Sequence, residues 1–422
     1  MRPLFEEIIS EIQPPEGDVD DPLQCLFSSL DYDDYIGRIG VGRVQRGRIT
    51  VNDKVVLCRT DGTQENVKIS RLYQFEGLKR VEVNEAAAGD IICVSGIADL
   101  NIGETICDPE CVDPLPFVKI DEPTLSMNFM VNDSPFAGRE GKFVTSRNLR
   151  DRLFKEVETN VSMKVEETDS TDCFKVSGRG ELHLSILIET MRRQGYEFQV
   201  SRPQVITKVE NGQLLEPIEL LIIEVPEEYV GTVMQKIGSR RGELENMGTR
   251  DGGSTHLEFK IPARGLIGYR SEFMTDTNGN GIMNNVFSGY EPYKGDIETR
   301  ERGSIIAHET GESTGYGLFN TQDRGRLFIG PGVEVYEGMI VGESSRNEDI
   351  VCNVCKKKQM TNTRAAGSDD ALRLVPHTVL SLEQCMEFIK DDELLEVTPE
   401  SLRLRKRILA KDQRLKQQFR KK

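Results

Sequence analysis

The sequence predicts a multidomain α+β protein with a small β-barrel, two split-βαβ α/β sandwiches and a β-rich C-terminal domain with a basic tail. Three observations support this prediction. The 422 residues exceed what one ordinary core holds. Short Val/Ile/Leu runs alternate with turn signals in the first quarter of the chain and again near its end. Between these parts, one order of strand-like and helix-like patterns occurs twice.

Residues 20–113 are predicted to form the barrel, because many short apolar runs are separated by turn signals such as RTDGT around Gly62. The stretch DYIGRIGVGRVQRG within it is rich in glycine, as a phosphate-binding loop is. It does not fit the GxGxxG pattern, because Gln45 follows Gly40 and Gly42 where the third glycine belongs. The flanking residues also keep strand periodicity. We therefore predict a strand here.

Residues 123–205 follow a β-α-β-β-α-β order that predicts a ferredoxin-like sandwich. LSMNFMV is a predicted strand and SRNLRDRLFKEVETN a predicted helix. VSMKVEE and CFKVSG form a predicted hairpin. ELHLSILIETMRRQG is the second helix, with Leu184, Ile188 and Met191 on one face, and YEFQVSRPQVI closes the unit.

Residues 214–296 repeat this order and predict a second ferredoxin-like sandwich. IELLIIEVP and THLEFKIP are predicted strands. YVGTVMQKIGSRRGELENM is predicted as one helix, and GLIGYRSEFMTDT as another before NNVFSGYEPY.

The predicted C-terminal domain covers residues 297–402 and is rich in glycine and β-formers. SLEQCMEFIKDDELLEVTPESLRLRKR is predicted as a capped helix that starts at Ser381, because Glu383 and Gln384 follow it closely. Residues 403–422 form the predicted basic tail.

Charge is separated along the chain. The tail holds ten Lys or Arg and one acid, whereas the remaining 44 basic and 69 acidic groups give residues 1–402 a net charge of −25. A basic block of this kind fits a nucleic acid, a solubilising tail or an anionic membrane surface. Strong segregation favours the nucleic acid.

The motifs of enzymes and metal sites are missing from the sequence. GREGKF is the nearest approach to a P-loop, but its glycines are too close together and Phe143 replaces the hydroxyl residue. No Asn-Lys dipeptide exists, which excludes the NKxD motif that reads guanine. Cys352 and Cys355 have metal-ligand spacing without a second pair, and the four histidines lie far apart. We predict no catalytic and no metal-binding residues.

No apolar run approaches the roughly 18 residues of a membrane span, and no signal segment opens the chain. Nine cysteines, scattered singly through apolar segments, fit reduced thiols. We expect a monomeric, soluble and intracellular protein that does not interact with membranes.

Long motifs resemble the elongation-factor-G-like translational GTPases. Their third domain is resembled by the segment GRGELHLSILIETMRRQGYEFQVSRPQVI. Their fifth domain is resembled by PEEYVGTVMQKIGSRRGELENM together with IPARGLIGYRSEFMT, and their second domain by AAAGDIICVSGIADLNIGETICD. No fourth domain fits between the two sandwiches, which leaves the BipA/TypA and LepA families. FNTQDRGRLFIGPGVEVYEGMIVGE and NTRAAGSDDALRLVP resemble the BipA/TypA C-terminal domain.

The resemblance implies a parent protein with an N-terminal GTPase domain, and the motifs of that domain are missing from this chain. Residues 1–19 resemble the linker that follows it. We therefore expect no cofactor and no enzyme activity in residues 1–422. The resemblance implies that the missing domain of the parent binds GTP and Mg²⁺ and hydrolyses GTP. A free-standing RNA-binding adaptor and a LepA-like factor are the alternatives.

Members of this family bind the ribosome, so the resemblance implies contacts with large-subunit rRNA and A-site tRNA. It further implies a role in translation under stress or in large-subunit assembly. The residues expected to contact RNA are Lys356, Lys357, Lys358, Asn362, Arg364, Arg240, Arg241, Arg403, Arg405, Lys406, Arg407, Lys411, Arg414 and Lys416.

Overall fold

The computed structural model describes residues 2–421 apart from 14, 34, 98, 117–121, 250–252, 298–299, 301 and 358–372, and it omits the side chains of 418–421. The chain divides into two compact units. Unit 1 holds residues 1–121 and 152–164, and unit 2 holds residues 122–151 and 165–422. The predicted α+β architecture with several domains is confirmed.

Unit 1 begins with helix α1 (Arg2–Glu11), none of whose side chains is buried. Its strands are β1 (Gln24–Asp33), β2 (Gly37–Arg46), β3 (Arg48–Thr50), β4 (Lys54–Cys58), β5 (Gln64–Lys68), β6 (Arg71–Glu76), β7 (Lys79–Val83), β8 (Glu85–Ala87), β9 (Ile91–Ser95) and β10 (Thr105–Cys107). Eight of them form one antiparallel sheet in the order β5-β4-β10-β1-β2-β9-β6-β7, and β3 pairs with β8. Val67 on β5 and Val83 on β7 pack against one shared core, so the sheet curls around it as a barrel does.

The glycines of the GxG stretch serve packing inside this sheet. A Cβ at Gly40 would lie 2.2 Å from Leu100 Cδ2 and 2.7 Å from Phe27 Cδ1, and a Cβ at Gly42 would lie 2.4 Å from the Leu26 carbonyl oxygen. Only glycine fits such close approaches. The prediction of a strand here is confirmed, since both residues lie in β2.

The first sandwich belongs to unit 2 except for residues 152–164. It consists of β11 (Leu125–Met130), α2 (Ser146–Thr159), β12 (Lys164–Glu167), β13 (Cys173–Gly178), α3 (Glu181–Arg193), β14 (Phe198–Val200) and β15 (Gln204–Val205). Helix α2 contributes residues to both units. The predicted apolar stripe of α3 is confirmed, because Leu184, Ile188 and Met191 are buried. The predicted β-α-β-β-α-β order is therefore present.

The second sandwich consists of β16 (Lys208–Glu210), β17 (Gln213–Pro226), α4 (Glu227–Ser239), β18 (Glu243–Thr249), β19 (Ser254–Pro262), α5 (Ala263–Leu266), α6 (Tyr269–Asp276) and β20 (Ile282–Pro292). The prediction of one helix through YVGTVMQKIGSRRGELENM was wrong, because α4 ends at Ser239 and β18 follows. Arg241 adopts φ 65°, and the Gly242 amide donates to the Ile237 carbonyl at 2.9 Å, which closes the helix.

The C-terminal part consists of β21 (Ser304–Ala307), β22 (Gly311–Glu312), α7 (Gly315–Gln322), β23 (Gly325–Leu327), β24 (Glu334–Val335), β25 (Met339–Ser344), β26 (Ile350–Cys352), α8 (Leu382–Phe388), β27 (Glu393–Val397), β28 (Leu402–Lys406) and α9 (Lys411–Lys421). Ser381 caps α8 through a capping box with Gln384, as predicted. The predicted long helix was wrong, because α8 ends at Phe388 and the β27–β28 hairpin follows.

The C-terminal strands continue the sheet of the first sandwich. The sheet runs in the order β12-β13-β11-β14-β27-β28-β25-β21-β26, and Phe198 of β14 faces Val397 of β27. Asn132 Nδ2 bridges this seam by donating to Glu197 Oε1 at 2.8 Å and to Glu396 Oε1 at 3.0 Å. Residues far apart in sequence therefore share one sheet and one buried polar network.

Candidate nucleic-acid interface

Lys406 was predicted to contact RNA, but the structure buries it in β28. Only 2% of its side chain is exposed, and its Nζ lies 2.6 Å from Asp349 Oδ2 and 2.9 Å from Asp392 Oδ2 and Glu393 Oε1. Burial opposes the charged form of Lys406, but the nearby Glu393 and Asp349 outweigh it and raise its pKa. A phosphate could not reach this ammonium group while β28 stays in the sheet.

Arg403 and Arg405 have internal partners too. Arg403 Nη1 lies 3.0 Å from Glu396 Oε1, and Nη2 contacts Glu140. Arg405 has only 2% of its side chain exposed, and its Nη2 donates to Gln199 Oε1 at 2.7 Å. In this structure Arg403, Arg405 and Lys406 are therefore paired with acidic or polar groups inside the protein, and we leave them out of the proposed RNA contacts.

The remaining basic stretch lies at the surface. Arg407 is exposed, and Lys411 and Lys416 are exposed on α9. Arg414 is half-buried at the start of α9, where its Nη1 donates to the Ile408 carbonyl at 2.9 Å. Helix α9 therefore presents cations from a surface position.

The second basic segment begins after β26. Lys356 and Lys357 are exposed, and the Lys356 carbonyl accepts a hydrogen bond from Thr314 Oγ1 at 2.6 Å, which fixes the start of the segment. Lys358, Asn362 and Arg364 lie outside the described residues. Arg373, which the sequence analysis did not single out, is exposed beyond them. The sequence could have indicated Arg373, because it lies in the same polar stretch as Lys356 and Arg364.

Both basic segments adjoin the turn between β21 and β22. On one side, Asn353, which lies three residues before Lys356, donates from its Nδ2 to Glu309 Oε1 at 2.8 Å. On the other side, the Glu337 amide donates to Thr310 Oγ1 at 3.3 Å, and Glu337 Oε1 accepts from the Lys411 amide at 3.0 Å. The start of α9 and the segment at Lys356 therefore lie at the same end of the C-terminal part. We call Lys356, Lys357, Lys411, Arg414 and Lys416 the cationic end.

Arg240 and Arg241 lie in the second sandwich and play different roles. Arg240 Nη1 donates to the carbonyls of Gly265 at 2.8 Å and Ile267 at 3.1 Å, and Nη2 lies 2.8 Å from Glu272 Oε2. These contacts tie α4 to the segment around α5. Arg241 is exposed, with its Nε donating to the Asp296 carbonyl at 3.2 Å. Of the two residues, Arg241 is the more exposed, whereas 21% of the Arg240 side chain is exposed.

Within the described ranges, no cluster of three or more His, Cys, Asp or Glu side chains has the geometry to hold a metal ion. Cys352 is buried with its Sγ 3.9 Å from Arg324 Nη1, and burial raises its pKa. His256 Nε2 lies 3.0 Å from Glu258 Oε1 on the surface of a sheet. Among the helices of the described residues, none is long and apolar enough to cross a membrane.

Comparison with known proteins agrees with the fold. The TypA/BipA C-terminal domain model matches residues 302–411, the elongation factor G C-terminus model 213–301, and the elongation factor Tu domain 2 model 37–107. The three matches follow the order that the resemblance implied, and the last two adjoin at residues 301 and 302.

Similar proteins extend this agreement over nearly the whole chain. A protein from Synechocystis sp. (strain ATCC 27184 / PCC 6803 / Kazusa) is 53% identical over 406 residues, which cover 96% of this chain and 68% of that protein. One from Bacillus subtilis (strain 168) is 50% identical over 417 residues, covering 99% and 68%. Both carry the name "Large ribosomal subunit assembly factor BipA". Identity of this extent shows that the chain belongs to the TypA/BipA family.

Proposed function

We propose that residues 1–422 are the ribosome-binding portion of a BipA-type factor that acts in large-subunit assembly. The observation that carries this proposal is the family membership together with the cationic end, where two exposed basic segments adjoin one turn. The similar proteins from Synechocystis and Bacillus are named for large-subunit assembly. Ribosomal RNA is a polyanion, and exposed Lys and Arg side chains bind phosphates by releasing counterions.

Large-subunit rRNA and A-site tRNA are the proposed polyanions, and the acidic remainder of the chain limits binding to RNA in other orientations. The proposed protein is a cytoplasmic monomer in a bacterium or plastid. GTP and Mg²⁺ binding is proposed for a part of the parent that lies outside these residues, because the P-loop and NKxD motifs do not occur here.

The first test is co-sedimentation of the chain with purified large ribosomal subunits across a salt series. The variant Lys411→Gln/Lys416→Gln removes two charges from the cationic end. If both side chains contact phosphates, the slope of log affinity against log salt should flatten by roughly 1.4–1.8, at about 0.7–0.9 per contact.

The matched control is Lys142→Gln/Arg147→Gln, which removes two charges from exposed side chains elsewhere in unit 2. It should leave the slope unchanged. Equal slopes for the two variants would refute the proposed interface. Loss of binding on adding bulk tRNA would refute a specific ribosomal role and favour a general RNA adaptor.

A further inference from the structure

Three segments of unit 2 meet at the start of helix α3. Helix α3 comes from the first sandwich, α8 from the C-terminal part, and the turn between α5 and α6 from the second sandwich. Ser271 Oγ on α6 donates to Glu387 Oε1 on α8 at 3.0 Å. Gly268 of the turn adopts φ 75°, and a Cβ there would lie 3.3 Å from Glu387 Cγ. The turn is therefore packed directly against the side chain of Glu387.

Two acidic side chains, Glu181 and Glu387, belong to this junction and influence each other by charge. Glu181, the first residue of α3, has a buried Oε1 without a hydrogen-bond partner in the described structure. Burial and, to a smaller extent, the neighbouring charges of Glu387 and Glu383 together raise the pKa of Glu181 to about 7, although the Gly268 amide acts in the opposite direction. Burial also raises the pKa of Glu387.

The nearby cation is already engaged. Arg240 lowers the pKa of Glu387 by its charge, but its guanidinium pairs with Glu272 at 2.8 Å and with two backbone carbonyls. Lys236 also contacts Glu272. The groups that face the junction are thus Glu383 and Glu387 from α8, Glu272 from α6 and Arg240 from the end of α4. Acidic groups outnumber cations, so the junction is more stable when one carboxyl group is neutral.

We propose that Glu181 and Glu387 form a proton-dependent latch that holds the second sandwich against α3 and α8. With a proton on Glu181, the pair carries one negative charge and the three segments pack closely. When Glu181 gives its proton to water, two buried carboxylates repel each other. The α5–α6 turn then separates more often from α3 and α8. This latch is independent of the proposed function, because it concerns contacts inside unit 2.

The direction of the pH dependence follows from the raised pKa. The closed latch binds the proton more tightly than the open one, where Glu181 returns towards its ordinary value of 4.5. The stabilisation of the closed form is therefore complete below about pH 4.5 and is lost as pH rises through about 7. Opening should increase by roughly tenfold between pH 6 and pH 8.5 for a group with these two values.

The test is amide hydrogen exchange of the full 422-residue chain, followed in peptides that cover α6 and α8. The wild type is compared with Glu181→Gln at each pH, so that the intrinsic pH dependence of exchange cancels. The ratio of wild-type to variant exchange rates should rise by about tenfold from pH 6 to pH 8.5. A ratio that stays constant would overturn the latch.

Two further variants sharpen the result. Glu387→Gln removes the neighbouring charge, so it should reduce the pH dependence in the same peptides while Glu181 remains. Glu228→Gln changes an exposed carboxyl group at the start of α4 and should leave the wild-type pH dependence intact. If Glu228→Gln altered it as much as Glu387→Gln, the effect would be one of general charge and the latch would be refuted.

Discussion

Replacing Lys406 by Met should destabilise unit 2, although Lys406 belongs to the basic C-terminal stretch. Its ammonium group balances Glu393, which is fully buried, and Asp349, which is mostly buried. Met matches the length of the side chain but carries no charge. Lys406→Met therefore leaves buried carboxylates with one cation fewer, and Arg300 remains the partner of Glu393 at 3.1 Å.

The expected magnitude comes from the burial of this group. Removing one partner of a buried ion pair costs about 3–5 kcal/mol, because the remaining charge is left uncompensated. At about 2–4 °C per kcal/mol for a domain of this size, the lower figure predicts a fall in Tm of roughly 6–12 °C. Lys406 lowers the pKa of Asp349, so its stabilising effect exists above the ordinary value of 3.8 and disappears as pH falls below it. The Tm difference should shrink accordingly at acidic pH.

The assay is thermal unfolding of the full chain at pH 7 and at about pH 3, below the ordinary pKa of Asp349, with Lys416→Met as the matched control. Lys416 is exposed on α9, so its replacement should shift Tm by less than about 2 °C and flatten the salt slope of ribosome binding by roughly 0.7–0.9. Lys406→Met should lower Tm and leave that slope unchanged. A Tm equal to that of the control would refute the structural role of Lys406.

Two other comparisons test the same division between structural and surface cations. Arg240→Ala should lower the free energy of unfolding by about 2–3 kcal/mol, because it removes three hydrogen bonds of a charged group. Arg241→Ala should leave Tm nearly unchanged. Thermal unfolding of both variants measures the difference. Ending the chain at Ala410 should keep Tm and weaken ribosome binding, whereas ending it at Thr398 removes β28 and should lower Tm sharply. Equal Tm values for the two shortened chains would contradict the central position of β28.

Local patterns predicted most of the fold, because short-range periodicity in the sequence indicates most helices and strands of each sandwich. The stripe of α3 and the cap at Ser381 depend on residues within a few positions of one another. The end of α4 was missed because Arg241 adopts a backbone conformation that non-glycine residues rarely take. Helical periodicity alone gave no signal for that ending.

The surroundings of the candidate site residues could not be predicted from the sequence, because the exposure of a side chain depends on partners that are distant in sequence. Leu402 and Leu404 alternate with Arg403 and Arg405, which is the period of a strand. Such a pattern normally places charges in solvent. Here the charged face is buried too, since Glu140, 263 positions before Arg403, lies across the seam. No local pattern reveals a carboxylate supplied from so far away.

The division of the basic stretch follows from the position of each element. Strand β28 lies inside the sheet between β27 and β25, and Arg405 and Lys406, which point to opposite faces of the strand, are both buried. Buried cations persist there only with carboxylate partners. Helix α9 begins after the sheet ends, and Lys411 and Lys416 project from it into solvent. The acidic groups of the body therefore neutralise the first cations of the stretch and leave the later ones exposed. If the cationic end binds rRNA as proposed, its attraction for phosphates would orient the encounter with this acidic protein before any specific contact forms.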